Sequence, residues 1–206
     1  MTRPNPRTPG VRPRQRIARW LLGLLGWRVE ATLPDVPKYV VIGAPHTSNW
    51  DFPYGVLAMW AIGFRYRWIG KHTLFRWPFG TVMRALGGIP VDRRARHNFI
   101  GQMREIFARE SELVLIITPE GTRRRTEHWK SGFYYIALAA KVPIALGFID
   151  YRGRRLGVGP AFTPSGDIDA DMAVIRAFYA DKVGRYPEHQ GEIRILPRPP
   201  EDGSAT

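Results

Sequence analysis

Short apolar runs separated by helical segments constrain the fold of this chain most strongly. The runs 38–43 and 113–117 are the clearest, and both are rich in valine, isoleucine and leucine. Strands buried on both faces of a parallel sheet have this composition, because helices cover both sides. Helices are predicted after these runs at 52–62 and 134–140, and before the second run at 98–110. The alternation predicts an α/β single domain with a mixed, mainly parallel central sheet flanked by helices.

Weaker patterns complete the predicted organisation. The further elements are a helix at 15–29, a strand at 64–69, a short helix at 81–86, a short strand near 89–91, a strand at 142–149, a less regular strand after 154, a helix capped near Asp169 and a last strand at 192–196. They divide the chain into a disordered basic tail at 1–14, an interfacial helix and connector at 15–37, the α/β domain at 38–197 and a tail at 198–206.

A histidine and an aspartate lie where the run 38–43 gives way to the next helix. His46 falls in the turn, and Asp51 follows five residues later. Positions five apart on a regular helix point about 140° away from each other, so the side chains meet only if Asp51 folds back from the first helical turn. Asp51 would then fix the tautomer of His46, and the other ring nitrogen could take a proton from a substrate hydroxyl. The same spacing arises by chance, so the pair alone does not identify an enzyme.

An excess of positive charge narrows the range of partners. The chain has 31 basic and 18 acidic residues, a formal net charge of +13, and 26 of the basic residues are arginine. Such an excess is typical of proteins that bind nucleic acid, an anionic membrane surface or phosphorylated substrates. A genome rich in arginine codons would produce part of the same bias. The absence of cysteine excludes a disulfide scaffold, thiolate zinc sites and a cysteine nucleophile.

The N-terminal region predicts attachment to a membrane surface. Its longest apolar stretch, 20–27, has tryptophan at both ends and follows a segment rich in arginine. The stretch is shorter than the ~18 residues needed to span a bilayer. Tryptophan at headgroup depth and arginine beside anionic lipid would make it an interfacial anchor. The alternative is a disordered tail followed by an ordinary core helix.

Two more predicted strands end in turns that can carry chemistry. If the strands are parallel, the turns at 92–94 and 120–125 converge with the His46 turn at one edge of the sheet. Gly121 would let the backbone approach a ligand, Arg123 could hold a phosphate, and Glu120 could orient an arginine or accept a hydrogen bond from a substrate hydroxyl. A solvated basic loop at 123–125 is the alternative. The aromatic segment 74–79 could line an acyl-chain groove, enter a membrane or pack in the core.

Four short motifs occur in order between residues 46 and 144. They are His46-x4-Asp51, the segment 88–93, Glu-Gly-Thr-Arg at 120–123 and Val-Pro-Ile at 142–144. Together they resemble the motifs of the glycerolipid acyltransferase family, which includes the 1-acylglycerol-3-phosphate acyltransferases. The loop 71–80 is also similar to the family's segment between its first two motifs. The resemblance covers about residues 38–150.

The resemblance implies a glycerol-phosphate acyltransferase-like fold and transfer of an acyl group from acyl-CoA or acyl carrier protein to a lysophospholipid or glycerol-phosphate hydroxyl. It implies His46 as the general base and Asp51 as its orienting partner. The substrate-binding residues that it indicates are Lys71, Arg76, Gly88, Arg93, Glu120, Gly121, Thr122 and Arg123. No metal or other cofactor and no nucleic acid are expected. Attachment would be peripheral, at the cytoplasmic face of the cell membrane.

Two other classes of function remain open at the level of sequence. The positive charge would also suit a module that binds nucleic acid or an anionic membrane without catalysis, although no helix-turn-helix, zinc-finger or RNP-type pattern is present. A hydrolase would use water in place of the acceptor hydroxyl at His46. Acylated acceptor, free fatty acid or salt-sensitive DNA binding would distinguish the three.

Overall fold

A computed structural model describes residues 13–91 and 99–196. The strands of the described part are β1 Arg28–Ala31, β2 Lys38–Ala44, β3 Arg67–Lys71, β4 Gly88–Val91, β5 Leu113–Ile117, β6 Ile144–Asp150 and β7 Arg155–Phe162. Its α-helices are α1 Pro13–Leu24, α2 Asp51–Ile62, α3 Gly80–Ala85, α4 Phe99–Arg109, α5 Gly132–Ala140 and α6 Ile168–Tyr179. Short 3-10 helices form at His72–Phe75 and Pro187–His189.

The strands form one sheet in the order β1-β7-β6-β2-β5-β3-β4. Strands β6, β2, β5, β3 and β4 are parallel to one another, and β7 runs antiparallel to β6 and parallel to β1. The predicted mixed, mainly parallel sheet is therefore confirmed. The carboxyl ends of β2 and β5 are adjacent, so the turns that follow these two strands lie side by side.

Side chains alternate between two cores because successive residues of a strand point to opposite faces. Along β2, Tyr39 and Val41 face the layer formed by α1 and α2, whereas Val40 and Ile42 face the other core. The latter contains buried residues of α4, α5 and α6. Both faces of the central strands are covered, which explains why their sequences are continuously apolar.

The N-terminal helix is packed into the domain on one side. Ala18 and Leu22 are fully buried against α2, and Arg19 donates a hydrogen bond to the Ala61 carbonyl at 2.9 Å. Burying a leucine contributes about 1.5–3 kcal/mol, which is enough to hold a short helix on the domain. The segment 15–37 is thus structurally continuous with the domain predicted to start at residue 38.

The prediction of one helix from 15 to 29 is wrong at its C-terminal end. Gly26 adopts a left-handed conformation with φ 75°. The Trp27 amide donates a hydrogen bond to the Leu22 carbonyl at 2.8 Å, which ends the helix. Glycine takes this conformation without a Cβ penalty, so it ends the helix. The chain then enters β1, which the sequence pattern missed because Val29 is the one large apolar residue of the strand.

Three smaller expectations are also corrected. The second strand begins at Arg67, because Phe64 instead packs on Tyr39 beside α2. The predicted strand at 192–196 is reduced to a bridge between Ile195 and Trp129. The cap of α6 is Asp167 and not Asp169, because the Asp167 side chain accepts hydrogen bonds from the Asp169 and Ala170 amides, each at 3.1 Å. The tails 1–12 and 197–206 lie outside the described residues, and α1 already begins at Pro13.

Candidate active site

The loop between β2 and α2 brings His46 and Asp51 into contact. His46 Nδ1 lies 3.2 Å from Asp51 Oδ2. The same carboxylate oxygen accepts hydrogen bonds from the Thr47 and Ser48 amides, both at 2.8 Å. Asp51 is the first residue of α2, and these amides draw its side chain back over the loop. The spacing of His46 and Asp51 predicted this fold-back. The N-cap residue of α2 is Trp50, which makes no side-chain cap hydrogen bond.

The hydrogen bonds around Asp51 define the chemistry that His46 can perform. Asp51 is 5% exposed, and its Oδ1 accepts a hydrogen bond from the Tyr151 hydroxyl at 2.7 Å. A carboxylate surrounded by donors is an acceptor, so Nδ1 of His46 carries its proton toward Asp51. Nε2 is then the nitrogen that can accept a proton from a substrate.

Glu120 supports the loop from the neighbouring strand. It follows β5 and is 4% exposed, and its two carboxylate oxygens lie 3.0 and 3.1 Å from the His46 amide that donates to them. Burial raises the pKa of Glu120 to about 7, although the hydrogen bond from His46 opposes the shift. Glu120 was predicted to contact substrate, and the structure places it beneath the His46 backbone.

An apolar cavity of about 140 Å³ opens beside His46 between the sheet and α2. Gly43 of β2 and Gly147 of β6 are directly paired and both line it. Gly55, one turn into α2, lines the opposite wall, and a Cβ at this position would meet nothing within 4 Å. The absence of side chains at Gly43 and Gly55 leaves the space open, whereas a Cβ at Gly147 would lie only 2.8 Å from the Val41 side chain. Its wall also includes Met59, Tyr66, Trp68 and Ile116.

Most of the other predicted substrate-binding residues lie at or after the carboxyl ends of β3 and β5. Lys71 ends β3, and Arg76 follows the next 3-10 helix; both side chains are exposed. The residues after Glu120 form a turn in which Gly121 has φ 67°, Thr122 is half-buried and Arg123 is exposed. Gly88 is buried in β4, where a Cβ would lie 2.7 Å from the rings of Phe75 and Trp68. Gly88 thus serves the packing of these rings. Arg93 lies outside the described residues, as do its neighbours in the turn 92–94.

Sequence reasoning missed Tyr151, the tyrosine that contacts Asp51. It lies 100 residues further along the chain, in the turn between β6 and β7. It also missed the segment that supports the loop from outside, in which the Tyr186 amide donates to Thr47 Oγ1 at 3.2 Å. Neither residue belongs to a short motif, so only a tertiary structure could place them here.

The fold is similar to that of a solved structure, the 1-acyl-sn-glycerophosphate (LPA) acyltransferase PlsC from Thermotoga maritima. The match has a TM-score of 0.51 at 16% sequence identity and covers 84% of this chain and 76% of that one. At this level of identity the likeness establishes the fold, which is the α/β fold of that acyltransferase. No curated protein matches the sequence.

A profile of the Acyltransferase family matches residues 28–145, which is more than half of the chain. The chain therefore belongs to the Acyltransferase family. This match confirms the resemblance that the four motifs indicated. The matched region includes His46, Asp51 and Glu120, and it ends before Tyr151.

Proposed function

We propose that this protein is a membrane-associated acyltransferase that moves a fatty acyl group from acyl-CoA or acyl carrier protein to the hydroxyl of a lysophospholipid or glycerol-phosphate acceptor. The observation that carries the proposal is the His46–Asp51 pair at the mouth of an apolar cavity. The pair supplies a base for a hydroxyl, and the cavity suits the acyl chain of the donor.

The proposed reaction is a direct transfer. The acceptor O–H gives its proton to His46 Nε2 while its oxygen attacks the thioester carbonyl, forming the new C–O bond. The C–S bond then breaks, and the departing sulfur takes the proton from the imidazolium, which Asp51 stabilises. The products are the acylated acceptor and a free thiol. The acyl donor is the only co-substrate of this scheme, and correct placement of both substrates supplies much of the rate.

We propose that the phosphate of the acceptor binds to the exposed cations at the ends of β3 and β5. Lys71, Arg76 and Arg123 offer positive charge near the edge of the sheet that carries His46. In the turn at Gly121 and Thr122, the glycine has no side chain, so a ligand could come close to the backbone there. Glu120 and Gly88 are better explained as supports, because one holds the His46 amide and the other lies under aromatic rings. Arg93 is retained from the sequence motif.

Filling the cavity tests whether it holds the acyl chain. An apolar cavity of about 150 Å³ can hold a benzene-sized molecule, so a cavity of this size fits a stretch of about six carbons. We expect Gly55→Leu to lower transfer of palmitoyl about 10- to 100-fold more than transfer of butyryl, because overpacking costs about 1–3 kcal/mol. Leucine is the better helix former by about 0.8 kcal/mol, so α2 should persist. The measurement is kcat/KM for both donors.

A leucine at another helical glycine is the matched control. Gly132 begins α5, and a Cβ there also meets nothing within 4 Å, but it does not line the cavity. Gly132→Leu should leave the palmitoyl-to-butyryl ratio unchanged. Equal ratios in the wild-type protein, Gly55→Leu and Gly132→Leu would show that the acyl chain lies elsewhere.

Exposed apolar side chains support peripheral attachment to a membrane. Trp20 and Leu24 of α1 are 63% and 66% exposed, and Trp77, after β3, is 94% exposed. Leu24 ends α1 just before Trp27, which packs on Tyr54 in the first turn of α2 near His46. Trp77 follows the carboxyl end of β3, so both exposed side chains lie toward the edge of the sheet that carries His46. The net charge of +13 would favour the anionic cytoplasmic leaflet, where we propose that the protein acts. None of the helices formed by residues 13–91 and 99–196 is long and apolar enough to cross a bilayer.

Vesicle binding tests the role of α1. We expect a Trp20→Ala/Leu24→Ala double variant to sediment with phosphatidylethanolamine–phosphatidylglycerol vesicles at least about tenfold more weakly than the wild type, because each side chain would lose apolar contact with lipid. The control is Leu138→Ala/Val174→Ala, which removes exposed apolar residues of α5 and α6 on the other side of the sheet. Equal loss in both variants, or no loss in either, would contradict docking through α1.

The proposed function is tested by a thiol-release assay with palmitoyl- and oleoyl-thioesters of CoA and of acyl carrier protein and a panel of lysophospholipids. We expect thiol release to depend on the acceptor and to match the acylated product. Free fatty acid without acylated acceptor would identify a hydrolase instead. Salt-sensitive DNA binding with no transfer from any donor would favour a binding module.

A further inference from the structure

The turn between β6 and β7 brings a tyrosine hydroxyl to the far side of Asp51 from His46. Tyr151 donates a 2.7 Å hydrogen bond to Asp51 Oδ1, whereas His46 and the loop amides contact Oδ2. The two oxygens of one carboxylate are therefore held from opposite sides. Rotation of the carboxylate would break contacts at both oxygens.

Tyr151 is itself fixed by its surroundings. Its amide donates to the Val183 carbonyl at 2.8 Å. Its ring makes edge contacts with Trp27 and Tyr54, with centroids 5.1 and 6.1 Å away and planes nearly perpendicular. Such aromatic pairs favour defined relative orientations. The hydroxyl is thus aimed at Asp51 by packing from the connection between α1 and β1, from α2 and from the segment after α6.

The Tyr151 hydroxyl stays protonated and can therefore donate a hydrogen bond. Burial raises the pKa of Tyr151, and the hydrogen bond and charge of Asp51 raise it further, while nearby Arg185 opposes the shift. Arg185 lies over the ring at 6.0 Å, and Tyr54 is the other titratable group that faces it. The phenol therefore keeps its proton, and the bond to Asp51 is a charge-assisted hydrogen bond.

We propose that Tyr151 is a positioning residue for the His46–Asp51 pair: it holds the carboxylate in the orientation that faces His46 and draws part of its negative charge away from the imidazole. The expected effect on kcat rests on the proposed function. The expected effect on the orientation and tautomer of His46 rests on the structure alone. The family match ends at Ala145, so the role falls on a residue beyond the matched region.

Replacing Tyr151 with phenylalanine removes the hydroxyl and keeps the ring. We expect kcat for acyl transfer to fall about 10- to 100-fold, which is the value of a hydrogen bond to a charged group, while KM for the acceptor changes little. The carboxylate would then present more negative charge to His46 and favour its protonated form. The acid limb of the kcat/KM profile should move to higher pH.

The matched control is another tyrosine–aspartate pair in the same protein. Tyr134 donates a 2.8 Å hydrogen bond to buried Asp171, between α5 and α6. Tyr134→Phe removes a bond of the same kind, so it should lower thermal stability while leaving the pH profile in place. A profile that shifts equally in both variants would show that Tyr151 contributes only stability.

A spectroscopic measurement separates this inference from the proposed function. Nitrogen-15 NMR of histidine, with the His46 signal identified by its loss in His46→Ala, reports the tautomer and titration of the ring. We expect a dominant Nδ1–H tautomer in the wild type and in Tyr134→Phe, and a changed tautomer ratio and titration midpoint in Tyr151→Phe. A change seen in a protein that transfers no acyl group would overturn the proposed function and support the positioning role. Identical His46 signals in all three proteins would overturn the positioning role.

Discussion

Replacing His46 with alanine is expected to lower acceptor-dependent thiol release by about 10²- to 10⁴-fold, the usual contribution of a general base. The loss should appear in kcat, because the ring acts on the proton that moves in the transition state. The side chain is 18% exposed and its ring contributes to the cavity mouth, so its removal leaves the core intact. Thiol release is followed with a chromogenic thiol reagent, beside circular dichroism and thermal melting.

A second histidine provides the control for this result. His128 is half-buried and lies outside both the His46 loop and the wall of the cavity. His128→Ala should retain transfer within a few-fold of the wild type. A folded His46→Ala protein with wild-type turnover on every competent donor and acceptor would overturn the mechanism.

Asp51→Asn is expected to lower kcat by a similar factor, about 10²- to 10⁴-fold, because the imidazolium loses its negative partner. The amide carbonyl can take the place of Oδ2 and accept from the Thr47 and Ser48 amides. Its NH₂ group can take the place of Oδ1 and donate to the Tyr151 oxygen. The loop geometry should therefore survive, and the effect should be mostly on activity.

Asp51→Ala separates charge from structure. It leaves the buried donors of the loop without their acceptor, at about 1–3 kcal/mol for each group that stays unsatisfied. Thermal melting should therefore show a clear loss of stability for alanine and a small one for asparagine, with activity low in both. If the asparagine variant were fully active, the charge of Asp51 would have no part in the reaction.

The part of the site that could be predicted from sequence is the part encoded by short-range spacing. His46 and Asp51 are five residues apart, and the strand-to-helix transition between them left one geometry in which they could meet. Glu120 was correctly placed near this edge, because the most apolar strand ends just before it. Its buried position under the His46 amide could not be predicted, since this depends on how β2 and β5 pair in the sheet.

The remainder depends on tertiary contacts that leave no local pattern. The wall of the cavity brings together Gly43 and Gly147 from two paired strands, and this pairing is set by the register of the sheet and not by either sequence alone. Strand β1 was missed because an edge strand of four residues needs little apolar content. The sequence left open whether α1 packs in the core or on a membrane, because one face of the helix carries buried Ala18 and Leu22 and the opposite face carries exposed Trp20 and Leu24.

The attachment of the His46 loop to distant parts of the chain has a consequence for how the protein is made. Tyr151 reaches Asp51 from beyond β6, and the Tyr186 amide holds Thr47 Oγ1, where Gly184 leaves room by lacking a Cβ. These contacts come from residues that follow all four recognisable motifs in the chain. A nascent chain that ends near Ala145 would contain His46, Asp51 and Glu120 but not the later residues whose hydrogen bonds hold the loop. The His46 loop should thus reach its final geometry late in synthesis, after these later residues have folded onto it.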